Sequence, residues 1–145
     1  MSDCPICEKH RGAGPLVGER LYEDEFVVAS HAPAAAVDGY LGYVFVETRR
    51  HARGLADLSD DEAAAVAVVV SRVARALEAA GAELVYSFVF DHIAHHHVHV
   101  VARHPGTPQE HWGPRVVEWP DAPRGGEAEI RDLAHRLRAA LTTTT

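Results

Sequence analysis

The stretch best equipped for chemistry is His95-His96-His97-Val98-His99-Val100-Val101, where four of the chain's eleven histidines crowd into seven residues. Imidazole serves as nucleophile, general acid or base, or metal ligand near neutral pH. β-Branched and aromatic residues flank the run, with Leu84-Val85-Tyr86-Ser87-Phe88-Val89-Phe90 ahead of it, and they predict strands. Side chains alternate along a strand, so His95, His97 and His99 share one face at steps of about 6.6–6.8 Å, and Val98 and Val100 take the other. Three imidazoles in a row read as a working surface rather than a buried stripe. A metal-binding tract or a chance histidine-rich segment is the plainer reading. The apolar alternation that anchors the strand favours a catalytic face.

The second constellation is Cys4-Pro5-Ile6-Cys7. A lone Cys-x-x-Cys is a redox pair, half a zinc site, or neither. The redox reading wants a βαβ unit downstream, and none follows. Zinc needs two further ligands, which the histidines could supply. With both cysteines in one motif, a disulfide framework is excluded.

The elements that must position these groups follow from periodicity and punctuation. Residues 19–22 and 26–30 read as a short hairpin turning at Glu23-Asp24, with a loop over residues 31–36. Residues 42–48 form another strand, in which Val44 and Val46 alternate against Tyr43, Phe45 and Glu47 before Arg49-Arg50-His51. Ser59 with Glu62 is a capping box for a long helix, whose stripe is Val66, Val69, Val70, Val73, Leu77 and Ala80, with Gly81 past its end. Residues 104–108 break regular structure, and residues 109–126, with Trp112 and Trp119, wrap the surface. An amphipathic helix is expected from Glu127 to Leu141, and a frayed tail from Thr142 to Thr145.

The 145 residues fit one domain, with a motif-bearing core at 4–103 and a C-terminal extension at 104–145. A formal charge of −7 argues against capture of a nucleic-acid backbone. Local clusters could still hold small phosphates, and Arg49, Arg50 and Arg103 are the candidates. No apolar run reaches membrane-spanning length and no secretory succession opens the chain, so a cytoplasmic location is expected.

Taken together, the motifs resemble the histidine triad (HIT) superfamily of nucleotide hydrolases and transferases. His95, His97, His99, Val100 and Val101 fit its His-x-His-x-His signature, with His96 in a spacer that is usually apolar. Gly42 to His51 is similar to the family's upstream strand and basic turn. The resemblance implies an α+β fold: an antiparallel sheet of about five strands with one main helix and a C-terminal helix, usually paired as a homodimer. It implies that His97 attacks a nucleotide α-phosphorus to form a nucleotidyl-histidine that water resolves, and that His99 contacts the phosphate and protonates the leaving group. It also implies structural zinc on Cys4, Cys7, His51 and His95. A nucleotide or dinucleotide is the expected substrate, with Tyr43 where many members carry histidine. Read from the residues themselves, Arg103 is the basic candidate for a phosphate or else a solvated strand end, His31 and His92 line the pocket or stand exposed in loops, and Trp112 lies over the base or anchors surface packing. The family's phosphate-loop amides and ribose-binding aspartate have no counterpart, since Asp91-His92-Ile93-Ala94 and His31-Ala32-Pro33 stand in those places. Two rivals therefore accompany the hydrolase reading: a nucleotide-binding or interaction module that keeps fold and zinc, and a metal-handling protein that uses the histidine face as ligands.

Overall fold

The structure is a computed structural model that describes residues 4–143. A five-stranded antiparallel sheet carries the fold, with strands β1 (Glu19–Glu23), β2 (Val27–His31), β3 (Tyr43–Thr48), β4 (Leu84–Phe88) and β5 (His97–Arg103) in spatial order β1-β2-β3-β5-β4. Helices α1 (Pro5–His10), α2 (Ala34–Val37), α3 (Asp60–Ala79) and α4 (Glu127–Thr143) complete it.

Strand alternation divides the sheet into two faces. Val44 and Val46 of β3 and Val98, Val100 and Ala102 of β5 turn toward α3 and α4, meeting Val66, Val69, Val73, Leu77, Leu133 and Leu137 in the main core. Burying each such valine or leucine contributes roughly 1.5–3 kcal/mol, so this face holds the sheet rigid beneath the chemistry. The capping box of α3 is complete, with Ser59 accepting from the Glu62 N–H and Glu62 accepting from the Ser59 N–H.

The opposite face carries Tyr43, Phe45 and Glu47 of β3 beside His97, His99 and Val101 of β5, whose pairing sets Glu47 against His97 and Phe45 against His99. Part of this face is covered by residues 113–122, which pack Val116 and Ala122 on Tyr40 and Val101. Helices α1 and α2 border the rest. The three histidines are accordingly buried, not displayed, and His95 precedes β5 instead of sharing its stripe.

Other departures are local. The first hairpin turns over residues 24–26, because the Asp24 carboxylate accepts the N–H groups of Phe26 and Val27. Residues 34–37 are one helical turn within the expected loop. Helix α4 continues through Thr142 and Thr143, and the rest of the expected tail, Thr144 and Thr145, lies outside the described residues. Among the described residues no helix is long and apolar enough to cross a membrane.

Candidate active site and metal centre

Cys4 caps α1, Cys7 lies within it, His51 follows β3 and His95 precedes β5; their ligand atoms converge within 4.8 Å of one another. Cys4 Sγ is 3.3 Å from His95 Nδ1, and Cys7 Sγ is 3.5 Å from His51 Nδ1 and 3.6 Å from His95 Nδ1. A tetrahedral zinc with ordinary bond lengths separates sulfur and nitrogen donors by about 3.5–3.6 Å, so these spacings match the edges of such a site. His95 donates its Nε2–H to the Thr48 carbonyl at 2.7 Å, which leaves the Nδ1 lone pair toward the sulfurs. Metal-binding histidines are commonly oriented by such a bond. The four residues fit a closed metal centre.

Beside it lies a pocket of about 320 Å³, floored by Tyr43, Phe45, Glu47, His97 and His99 and walled by α1, α2 and the turn carrying His92 and Ile93. His97 donates Nδ1–H to the His95 carbonyl at 2.7 Å. Its Nε2 is buried without a hydrogen-bond partner among the described residues. The neutral ring therefore carries its lone pair on Nε2. Burial is the main cause holding the His97 pKa below its ordinary value, reinforced by His92 and Lys9 and opposed by the His95 hydrogen bond and Glu47.

His99 is tuned from the other side. The Tyr43 hydroxyl lies 2.7 Å from His99 Nδ1 and, finding no other acceptor among the described residues, donates to it. Burial pushes the Tyr43 phenol up to about 12, so it keeps that proton. The His99 proton then sits on Nε2, a second buried atom with no partner. Phe88 stacks on the ring at 5.1 Å and Phe45 meets it edge-on at 4.9 Å. That desolvation, then the neighbouring His97 and His92, lowers the His99 pKa to about 4. A lone pair on His97 and an N–H on His99 thus stand side by side, their rings 5.1 Å apart.

Three expected pocket residues lie elsewhere. His31 is fully buried: Nδ1–H donates to the Ala32 carbonyl, and Nε2 accepts the N–H of Gly42 at 2.9 Å and of Tyr43 at 3.3 Å. It fixes the start of β3, where Gly42 adopts φ +92° and an added Cβ would strike Ala102 at 2.8 Å. Arg103 does not line the pocket. It pairs with Glu83 at 3.0 Å, donates to the Tyr86 hydroxyl and stacks 4.0 Å from the Trp112 ring. Trp112 is spent on that contact and on a bond to the Thr107 carbonyl. Arg49 and Arg50 are likewise engaged, by Glu23 and Glu62. His96 packs inward, with its backbone N–H bonded to the Ala52 carbonyl, and the His104 ring donates Nε2–H to the Leu41 carbonyl. Tyr43 and His92 do line the cavity.

The sequence reading overlooked Lys9, His10 and Glu47. Glu47 is 1% exposed, is paired with the Lys9 ammonium, and accepts from His10 at 2.9 Å. Burial pushes its carboxyl up, but these bonds outweigh it and hold the pKa below the usual carboxylate range. Both partners stand on α1, so the helix that presents the cysteines also brings the cation to the pocket wall. The one available signal was a glutamate breaking the apolar company of Tyr43 and Phe45.

The HIT domain model matches residues 17–106. The chain belongs to the HIT domain family. A zinc-bound histidine triad family protein from Mycobacterium smegmatis is 24% identical and superposes with a TM-score of 0.68, covering 97% of this chain and 94% of that one. A hypothetical histidine triad nucleotide-binding protein from Sulfolobus tokodaii strain 7 is 22% identical, with a TM-score of 0.70 over 96% and 92% of the two chains. A Streptococcus mutans structure is 28% identical, with a TM-score of 0.58 over 72% and 68%. A search of curated proteins gave no match. The HIT fold thus extends over nearly the whole chain, beyond the residues that carry the triad.

Proposed function

We propose that this HIT protein cleaves a nucleotidyl phosphoanhydride or phosphoramidate through a covalent nucleotidyl-histidine on His97. The observation that carries the reading is the hydrogen bond from His97 Nδ1–H to the His95 carbonyl, which leaves a buried, unpartnered Nε2 at the pocket. Because its pKa is held below the ordinary value, the attacking nitrogen already carries its lone pair at neutral pH. His97 Nε2 bonds to the α-phosphorus as the bond to the leaving group breaks, while His99 Nε2–H donates a hydrogen bond to the departing atom, which takes its proton from water. Water then attacks the phosphorus, the P–N bond breaks, the water's proton passes to solvent and His97 is restored with its Nε2 lone pair. Splitting one displacement into two is the gain of covalent catalysis.

The metal in this reading is zinc, held by Cys4, Cys7, His51 and His95, in keeping with the zinc-bound Mycobacterium smegmatis relative. Its contribution is to anchor α1 and the chain before β5, and with it the carbonyl that orients His97. The nucleotide assignment draws on the naming of the Sulfolobus tokodaii relative and on a cavity that suits a small ligand. A homodimer is part of the same reading. Its support is β4, an edge strand with exposed Leu84, Val89 and Phe90 nearby; sedimentation would measure it.

One observation favours the rival of a weakly active binding module. Lys9 is the sole lysine or arginine among the described lining residues, and it is already paired with Glu47. Intact-protein mass spectrometry with nucleoside phosphoramidates and dinucleoside polyphosphates decides between the two. The enzyme reading expects a nucleotidyl adduct that His97→Ala abolishes. Binding of the same compounds without adduct or product would establish the module instead.

A further inference from the structure

His97 and His99 have a third imidazole beside them that the proposed hydrolysis does not use. The His92 ring lies 5.2 Å from His97 and 5.9 Å from His99. One ring nitrogen from each of the three falls within 4.8 Å of the others. Three-coordinate imidazole sets with an open fourth position are a recurrent way to hold a borderline divalent ion. The nitrogens left to act as donors on His97 and His99 are their Nε2 atoms, on side chains 1% and 4% exposed and without a partner among the described residues. Each is backed as a metal ligand is backed. His97 Nδ1–H is held by the His95 carbonyl, and His99 Nδ1 faces the Tyr43 hydroxyl. That hydroxyl can accept as well as donate, so His99 can move its proton to Nδ1 and free the Nε2 lone pair while keeping the same bond.

We propose that His92, His97 and His99 form a second metal site, distinct from the cysteine-histidine centre, which takes a divalent ion of the zinc or cobalt class and masks His97 when occupied. A tetrahedral ion wants its nitrogens about 3.3–3.4 Å apart. His92 is exposed in the turn between β4 and β5, so it is the ligand free to close the remaining gap. The fourth position faces the pocket and takes water or a phosphate oxygen. Coordination through Nε2 of His97 removes the lone pair that would attack phosphorus, so the ion and covalent chemistry exclude each other. The binding claim does not depend on the nucleotide reading, and the masking claim does.

Cobalt(II) titration of the metal-stripped full chain, followed by absorption spectroscopy and equilibrium dialysis, separates the two sites. The cysteine centre fills with thiolate-to-cobalt charge transfer, whereas the histidine site has nitrogen and oxygen donors and adds only ligand-field bands. The expected result is two ions per chain, with His92→Ala binding one and keeping the thiolate bands. Because His92 is exposed, its removal leaves the core intact, and Tyr43→Phe offers a milder change that should weaken the second ion roughly 10–100-fold. One ion per chain in the parent protein, or a second ion that survives His92→Ala, overturns the site. A second ion that binds as expected, yet leaves adduct formation on His97 undiminished, overturns the masking.

Discussion

Replacing Lys9 by methionine tests the link between helix α1 and the pocket. The Glu47 carboxylate is 1% exposed and has two partners, both on α1. Removing the sole partner of a buried charge costs about 3–5 kcal/mol. Here His10 remains 2.9 Å from the other carboxylate oxygen, so the loss should fall nearer the value of one hydrogen bond to a charged group, about 1.5–3 kcal/mol. For a chain of this size that lowers Tm by roughly 3–12 °C. The double variant Lys9→Met with Glu47→Leu should recover most of the loss, because exchanging a buried ion pair for apolar groups is often neutral or better. Thermal and urea unfolding of parent, singles and double at one fixed excess of zinc measure the coupling directly. The pH dependence has a defined sign. A carboxyl whose folded pKa is depressed contributes stability that is present above its unfolded value, about 4.5, and lost as pH falls toward the folded value. The Lys9→Met penalty should therefore shrink below about pH 4.5. A Lys9→Met variant as stable as the parent at pH 7, with strictly additive single effects, would refute the reasoning.

Three further outcomes follow from the site. His97→Ala should lose the covalent adduct but keep its zinc, whereas His95→Ala and Cys4→Ala should lose zinc and stability together, since structural zinc binding contributes to folding; metal analysis and melting on the three variants check this, and the reverse pattern would mean ligand and nucleophile are exchanged. Single-turnover adduct formation should rise with pH as His97 gives up its proton. Burial lowers that pKa, so the rise should be centred below the unperturbed ~6.5, and a rate flat from acid to neutral pH counts against His97. Arg103→Ala should leave mononucleotide affinity unchanged, since the guanidinium is held by Glu83, Tyr86 and Trp112 outside the pocket; isothermal titration at low salt would reveal a phosphate role as weakened binding.

What the chain announced by itself was local or periodic. Ser59 and Glu62 cap α3 across three residues, and the valine stripe that follows needs only helical geometry to face one way. The alternation in 43–48 and 97–103 likewise fixes which residues face the helices, whatever their strands pair with. The triad spacing and Cys-x-x-Cys were legible for the same reason, as fixed offsets along the chain. Tertiary structure decided what depended on distant partners. Arg103 looked like a phosphate ligand until Glu83, twenty residues away, and Trp112 occupied it. His31 looked like a loop residue until the N–H groups of Gly42 and Tyr43 took its ring nitrogen. Lys9 and Glu47, 38 positions apart, carry no mark of their pairing in sequence. The histidine face reads as exposed because strand periodicity says which residues share a side but not what lies over it. Helix α1, six residues long, is too short to stand alone, and only the folded sheet gives it Glu47 to hold.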